Sequence, residues 1–293
     1  MISEELKAMD FGRLLDRSFK MFFSSIKQIL KISLSYAGIN LGIILIGLLI
    51  LAGVFYFNYG SFFFSMDGED IYAQLLFASP ILIIIMFINI ITAVFFYGMI
   101  HDLYINTFLE DEWSFKKSII KVKGKFWPIF LNGFLYLIFY SLLGVCCLFF
   151  PLMVFLTASI PAMLFENIKS DGIGRSFSLV GRNFWGVLGT KLVYSLIISG
   201  ISILAIIVAG LITFVVLFIL IAVNLISSND SETISIWLMI IFVISYIPLV
   251  MFLNIIECAL NVLIFFNQKI KYENFGVEFL ANSIIDDNPV EIK

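Results

Sequence analysis

Charge is scarce in this chain: Asp, Glu, Lys and Arg make up 13% of 293 residues, about half the share of a soluble domain. With 61% hydrophobic residues and a mean hydropathy of +1.06, a water-soluble chain is excluded. Nor is there a basic excess. The net charge of −3 argues against a nucleic-acid partner, which needs a concentrated cationic face. Cysteine is sparse too. Cys146, Cys147 and Cys258 lie in apolar runs with no CxxC or CxxH spacing, so they read as packing residues, not metal or redox ligands. No GxSxG, HExxH, Gly-rich phosphate loop or Cys/His cluster occurs. We therefore expect no catalytic residue, metal or cofactor.

What the chain does have is apolar length. Residues 32–66, 71–101, 126–165, 192–229 and 233–256 contain no Asp, Glu, Lys or Arg. A helix needs about 20 residues to cross the hydrocarbon, so four of these runs hold at least one span each. The run 126–165 contains Gly144 and Pro151, and proline breaks a helix interior. It reads as a hairpin of two short spans, 126–144 and 151–165, which makes six spans in all.

Parity can be tested by charge, because Lys and Arg collect in loops that stay in the cytoplasm. The segment before the first span and the loops after the second, fourth and sixth together hold all 18 Lys and Arg. The other side holds Asp67, Glu69, Asp70, Asp230 and Glu232. Six spans with both termini cytoplasmic follow. Residues 1–31 are charged and amphipathic, so we expect no cleavable signal and an uncleaved first anchor.

Between residues 10 and 30, apolar groups recur at spacings of three and four, among them Leu15, Phe19, Phe22 and Ile26. That pattern predicts an amphipathic helix lying in the inner interface. It returns at Phe115, Ile119, Val122 and Phe126, and again at Ile173, Phe177, Val180 and Phe184. A basic-serine pair travels with it, as Arg17-Ser18, Lys117-Ser118 and Arg175-Ser176. The expected fold is all-α: a polytopic membrane bundle of three hairpins, each preceded by a cytoplasmic interfacial helix. It forms one integral membrane domain with parallel units near 10–109, 110–167 and 168–276, and an acidic cytoplasmic tail at 277–293.

The stretch Phe11-Gly12-Arg13-Leu14-Leu15-Asp16-Arg17-Ser18-Phe19 resembles the start of the bacterial membrane domain found N-terminal to some glycerophosphoryl diester phosphodiesterases. Pro161-Ala162-Met163-Leu164-Phe165-Glu166-Asn167, followed by Gly174-Arg175-Ser176-Phe177-Ser178-Leu179-Val180, resembles that family's central signature. Residues 265–279, from Phe265-Phe266-Asn267-Gln268 onward, resemble its C-terminal one, with Lys269 and Lys271 where the family carries arginines. The resemblance implies a bacterial inner-membrane module; the phosphodiesterase chemistry belongs to a separate soluble barrel.

Several side chains are candidates for function. Arg17, Lys117, Arg175 and Arg182 are the expected contacts to anionic inner-leaflet lipid or a protein partner. Asp16 belongs to the same amphipathic stretch, and Glu166 is expected to pair with one of the arginines. Glu257 interrupts an apolar stretch, with Asn254 and Asn261 on its helical face. It is either an interfacial carboxylate paired to a cytoplasmic Lys or Arg, or a proton or substrate site. His101, the sole histidine, is expected to be solvated or capping. The run 192–229 would reach about 57 Å as one helix, so either Gly200 or Gly210 marks a break or the helix protrudes. The expected function is a non-enzymatic membrane module that holds anionic lipid or docks a partner. The alternative is a transporter or lipid-translocating protein with its polar path near Glu257.

Overall fold

A computed structural model describes residues 8–59, 68–143, 149–168, 171–222 and 231–275. The expected tail at 277–293, Asp67, Asp230, Cys146, Cys147 and the C-terminal motif from Gly276 onward lie outside them. Among the described residues the protein is all-helical. In chain order the helices are α1 Phe11–Ser24, α2 Ile26–Tyr59, α3 Gly68–Phe108, α4 Phe115–Gly124 and α5 Phe126–Leu143. They continue as α6 Phe149–Leu156, α7 Ser159–Phe165, α8 Gly172–Gly181, α9 Phe184–Ala222 and α10 Ser231–Glu273.

Among the described residues four stretches are long and apolar enough to cross a membrane: Ile26–Gly47, Ser79–Phe108, Phe184–Ala222 and Phe252–Glu273. They are not equivalent. In the first three, 11 to 17% of the most apolar window is buried within the protein, against 78% in Phe252–Glu273. Leu34, Ile46, Ile83, Leu204 and Phe214 project outward from the first three, as lipid-facing side chains should. The C-terminal part of α10 is instead a central post.

Around that post sits the core. Tyr104, Phe265 and Phe266 are its largest fully buried side chains, and Phe108 stacks on Phe266 at 4.2 Å. Helices α1, α3, α7 and α9 close over α10. The first helix is capped by Asp10, whose carboxylate accepts the Arg13 N–H at 2.9 Å. Its buried face is Leu14, Ser18, Met21 and Phe22, the spacing of one helical stripe.

Three short helices each give way to a longer one at a break, at Ser25, Lys125 and Arg182-Asn183. In each case a junction carbonyl accepts the first bond of the new helix: Ile29 to Ser25, Ile129 to Lys125 and Val187 to Asn183. Ser18, Ser118 and Ser176, seven residues before those junction residues, are fully buried. Trp127 and Trp185 stand exposed two residues beyond theirs.

Two expectations change. The segment 151–165 is not one helix but parts of α6 and α7, divided at Thr157-Ala158. The Ala158 N–H donates to Ser176 Oγ at 3.1 Å, and the same hydroxyl donates to the Phe155 carbonyl. A side chain from α8 therefore satisfies backbone groups that a continuous helix would satisfy itself. Second, α9 runs unbroken through Gly200 and Gly210. At 39 residues it is about 58 Å long, so the alternative of a break at Gly200 or Gly210 is excluded.

Candidate functional site

Polar side chains concentrate in three places around the post. The first is a carboxylate clamp. Arg175, in α8, donates to both oxygens of Glu166 at 2.7 and 2.8 Å, and to both oxygens of Glu273 at 2.7 and 2.5 Å. Lys269 donates to Glu166 at 2.7 Å and lies over the Phe165, Phe265 and Phe275 rings. Burial alone would raise the Glu166 carboxyl, but hydrogen bonds from Arg175 and Lys269 outweigh it and hold it below the ordinary carboxylate range. The clamp ties α7, α8 and the end of α10 together. Arg175 is a planar fork used on both sides, an unfavourable arrangement for reaching a lipid headgroup.

Nearby contacts close the same end. Asn267 accepts the Met9 N–H at 2.8 Å and donates to the Met9 carbonyl at 3.2 Å. Lys125 is buried and donates to the carbonyls of Met163 and Leu164, at the C-terminus of α7, where a cation suits the helix dipole. Burial and the neighbouring Lys121 lower its ammonium to about 8.

The second place is an open groove between the start of α2 and the start of α4. Lys27, Gln28, Lys31, Trp113, Ser114 and Lys116 line it, and its volume is about 630 Å³. Lys31 lies 5.1 Å from the Phe115 ring centroid. Ser114 stands at the N-cap of α4 without a side-chain capping bond, so the first amides of α4 have no partner from it. The Trp113 indole N–H is buried with no hydrogen-bond partner among the described residues.

The third place surrounds Glu257. Its Oε1 accepts from Lys191 at 2.8 Å and from the Tyr136 hydroxyl at 3.0 Å. Lys191 also donates to Asn261 at 2.6 Å. The pair borders a cavity of about 390 Å³ between α5, α6, α9 and α10, lined also by Thr157, Tyr194 and Asn254. Lys191 is 8% exposed and Glu257 23%, because the carboxylate looks into that cavity.

Other expected residues fall elsewhere. The Arg17 guanidinium lies over the Phe108 ring at 4.7 Å, and Asp16 pairs with Lys20 at 2.6 Å on the exposed face of α1. Lys117 is exposed, and exposed Arg182 donates to the Tyr272 carbonyl at 3.3 Å. His101 is neither solvated nor a cap: it is 1% exposed, with Nδ1 at 3.0 Å from the Tyr97 carbonyl one turn earlier. Asp102 turns instead to Lys121 at 2.7 Å, so the two adjacent side chains diverge. Cys258 is buried and free, as expected of a packing thiol.

Lys191 and Thr157 are the residues that sequence reasoning passed over. The charge distribution groups Lys191 with the cations of the loop after the fourth span, yet it is the lone charge between Arg182 and Asp230, the signal that singles out Glu257. Thr157 carries no such signal. Among the described residues no cluster of His, Cys, Asp or Glu could hold a metal. No family model, curated protein or solved structure matches the chain.

Proposed function

We propose that this chain is a non-enzymatic module of a bacterial inner membrane that holds anionic lipid headgroups at its cytoplasmic end. The observation that carries this reading is the groove at Lys27, Lys31 and Lys116. Among the described residues none of the three forms an ion pair, while Ser114 leaves the first-turn amides of α4 without a side-chain cap beside the same space. Phosphate oxygens are the natural partners of such a donor set. A protein partner presenting phosphate or carboxylate groups would use the same face.

In this reading the chain has six spans in three hairpins, each introduced by a short interfacial helix, and both termini are cytoplasmic. Support comes from the matching junctions at Ser25, Lys125 and Asn183 and from the buried serines in register with them. The reading keeps the resemblance to the phosphodiesterase-associated membrane domain, whose central and C-terminal signatures meet at one end of the bundle through Glu166, Arg175, Lys269 and Glu273.

Each lysine near an anionic surface contributes about 1 kcal/mol, so three lysines correspond to roughly a hundredfold in retention. Protein purified in mild detergent is expected to carry phosphatidylglycerol or cardiolipin in native mass spectra. The combined substitution Lys27→Gln, Lys31→Gln and Lys116→Gln should strip most of it without moving the melting midpoint. Lipid-free wild type, or equal retention by the triple variant, would refute the platform.

A further inference from the structure

The Lys191–Glu257 pair leaves bonding capacity at both ends. Both hydrogen bonds to Glu257 fall on Oε1, so Oε2 has none among the described residues. Lys191 directs bonds to Glu257 and Asn261, and an ammonium has three donors. One acceptor and one donor thus remain, side by side, at the edge of the 390 Å³ cavity. That volume lies in the range of small-molecule sites, about 300–1,000 Å³.

The cavity wall adds neutral hydrogen-bonding groups. Thr157 is 4% exposed and lines it, and its hydroxyl has no partner among the described residues. A buried hydroxyl without a partner is uncommon and calls for an explanation. Ser195, Ser199 and Ser202 line the same space from α9 at spacings of four and three, hence from one face. Phe150, Met153 and Leu253 supply the apolar remainder.

Charge decides the class of ligand. The pair is neutral as a whole, so a simple anion attracted by Lys191 meets the Glu257 carboxylate, and a simple cation meets the reverse conflict. A molecule bearing both charges satisfies both ends: its anionic oxygen takes the third Lys191 donor, and its ammonium donates to Glu257 Oε2. We propose that this cavity binds a zwitterion that carries an anionic group and a protonated primary amine. The chemistry is shared by the phosphoethanolamine headgroup of a membrane lipid and by the free deacylated headgroup. The site is separate from the basic groove and requires no transport.

The test uses the full chain in detergent with four probes: phosphatidylethanolamine, phosphatidylglycerol, glycerophosphoethanolamine and glycerophosphoglycerol. Binding of either ethanolamine probe at least tenfold tighter than its glycerol counterpart is expected. Ser199→Phe, about two turns along α9 from Lys191, fills the cavity away from the ion pair and should weaken that binding at least tenfold at an unchanged melting midpoint. Thr157→Val keeps the side-chain volume and serves if the larger residue unfolds the protein; a loss of about threefold is expected from it. Preference confined to the lipid identifies a membrane ligand, and preference shown also by glycerophosphoethanolamine identifies the free headgroup. Equal binding of the glycerol probes, no binding of either ethanolamine probe, or binding indifferent to both substitutions would overturn the proposal.

Discussion

Arg175 has its guanidinium between two carboxylates, and that geometry makes it a structural residue before anything else. Lysine cannot reproduce a fork that bonds Glu166 and Glu273 at once, so Arg175→Lys should cost about 1–3 kcal/mol, whereas Lys117→Gln on the exposed face of α4 should be nearly neutral. The lowered Glu166 carboxyl adds a pH signature. Its folded-state value lies below the unfolded one, so its contribution is complete above the ordinary carboxylate value of about 4.3 and disappears as pH falls through the lowered value. Melting midpoints of wild type and Arg175→Gln, measured in detergent from pH 7 to pH 3, should differ most near neutrality, with the gap narrowing as pH falls below about 4.3. A constant gap down to pH 3 would show that Glu166 is not held by this clamp. The Glu166 half was legible in the sequence only as a pairing with one of the arginines; the structure selects Arg175, nine residues away. Glu273 lies 98 residues away, and no spacing rule reaches that far. The Lys191–Glu257 pair was half legible in the same sense: a carboxylate in an apolar stretch demanded a cation, but which of 18 cations depended on how α9 and α10 pack.

At the scale of elements, periodicity predicts the short helices well because one stripe of each must be buried whatever the neighbours are. It fails at 151–165. There the decisive group is the Ser176 hydroxyl of α8, and local sequence cannot show that a distant side chain will take over two backbone bonds. At Gly200 and Gly210 the sequence leaves a break and an unbroken helix both open, and the helix is unbroken, because a helix in hydrocarbon keeps its backbone bonds where no water competes for them. The end of α3 shows where local chemistry is strained. Glu110 adopts φ 58, the Asp111 N–H returns to the Asn106 carbonyl at 2.9 Å, and the Glu110 N–H lies 3.4 Å from the Thr107 carbonyl. This is the pattern of a left-handed helix end, which favours glycine. At the ends of α7 and α10 that conformation falls to Asn167 and Asn274, a residue type that tolerates it. Glu110 has no such excuse. Glu110→Gly should therefore raise stability by about 0.5–1 kcal/mol, read as a higher melting midpoint, while Glu110→Val should lower it. A glycine variant less stable than wild type would mean that the Glu110 side chain contributes more than its backbone costs.

The whole molecule divides along its length. Exposed apolar side chains occupy Leu34 to Ile50 on α2, Ile83 to Ile88 on α3 and Leu192 to Ile219 on α9, an apolar surface of the width that a membrane covers. The buried core lies to one side of that belt, where α10 from Leu253 to Gln268 is enclosed by the short helices. Lys20, Lys27, Lys116, Lys123 and Arg182, on or beside the short helices, are exposed, and Trp127 and Trp185 are exposed two residues beyond the junctions at Lys125 and Asn183, a residue type that membrane interfaces favour. The division makes orientation a strong expectation, because reversing it would require all of these cations to be translocated. With Cys146, Cys147 and Cys258 replaced by alanine, Phe63→Cys should react with a membrane-impermeant maleimide on intact cells, and Glu112→Cys only after permeabilisation. The two positions flank the same helix, α3, so the comparison also tests whether that helix crosses the bilayer once. Labelling of both from one side would place α3 as a re-entrant or interfacial element, and the basic groove beside α4 would then face a different compartment from the one its lysines require.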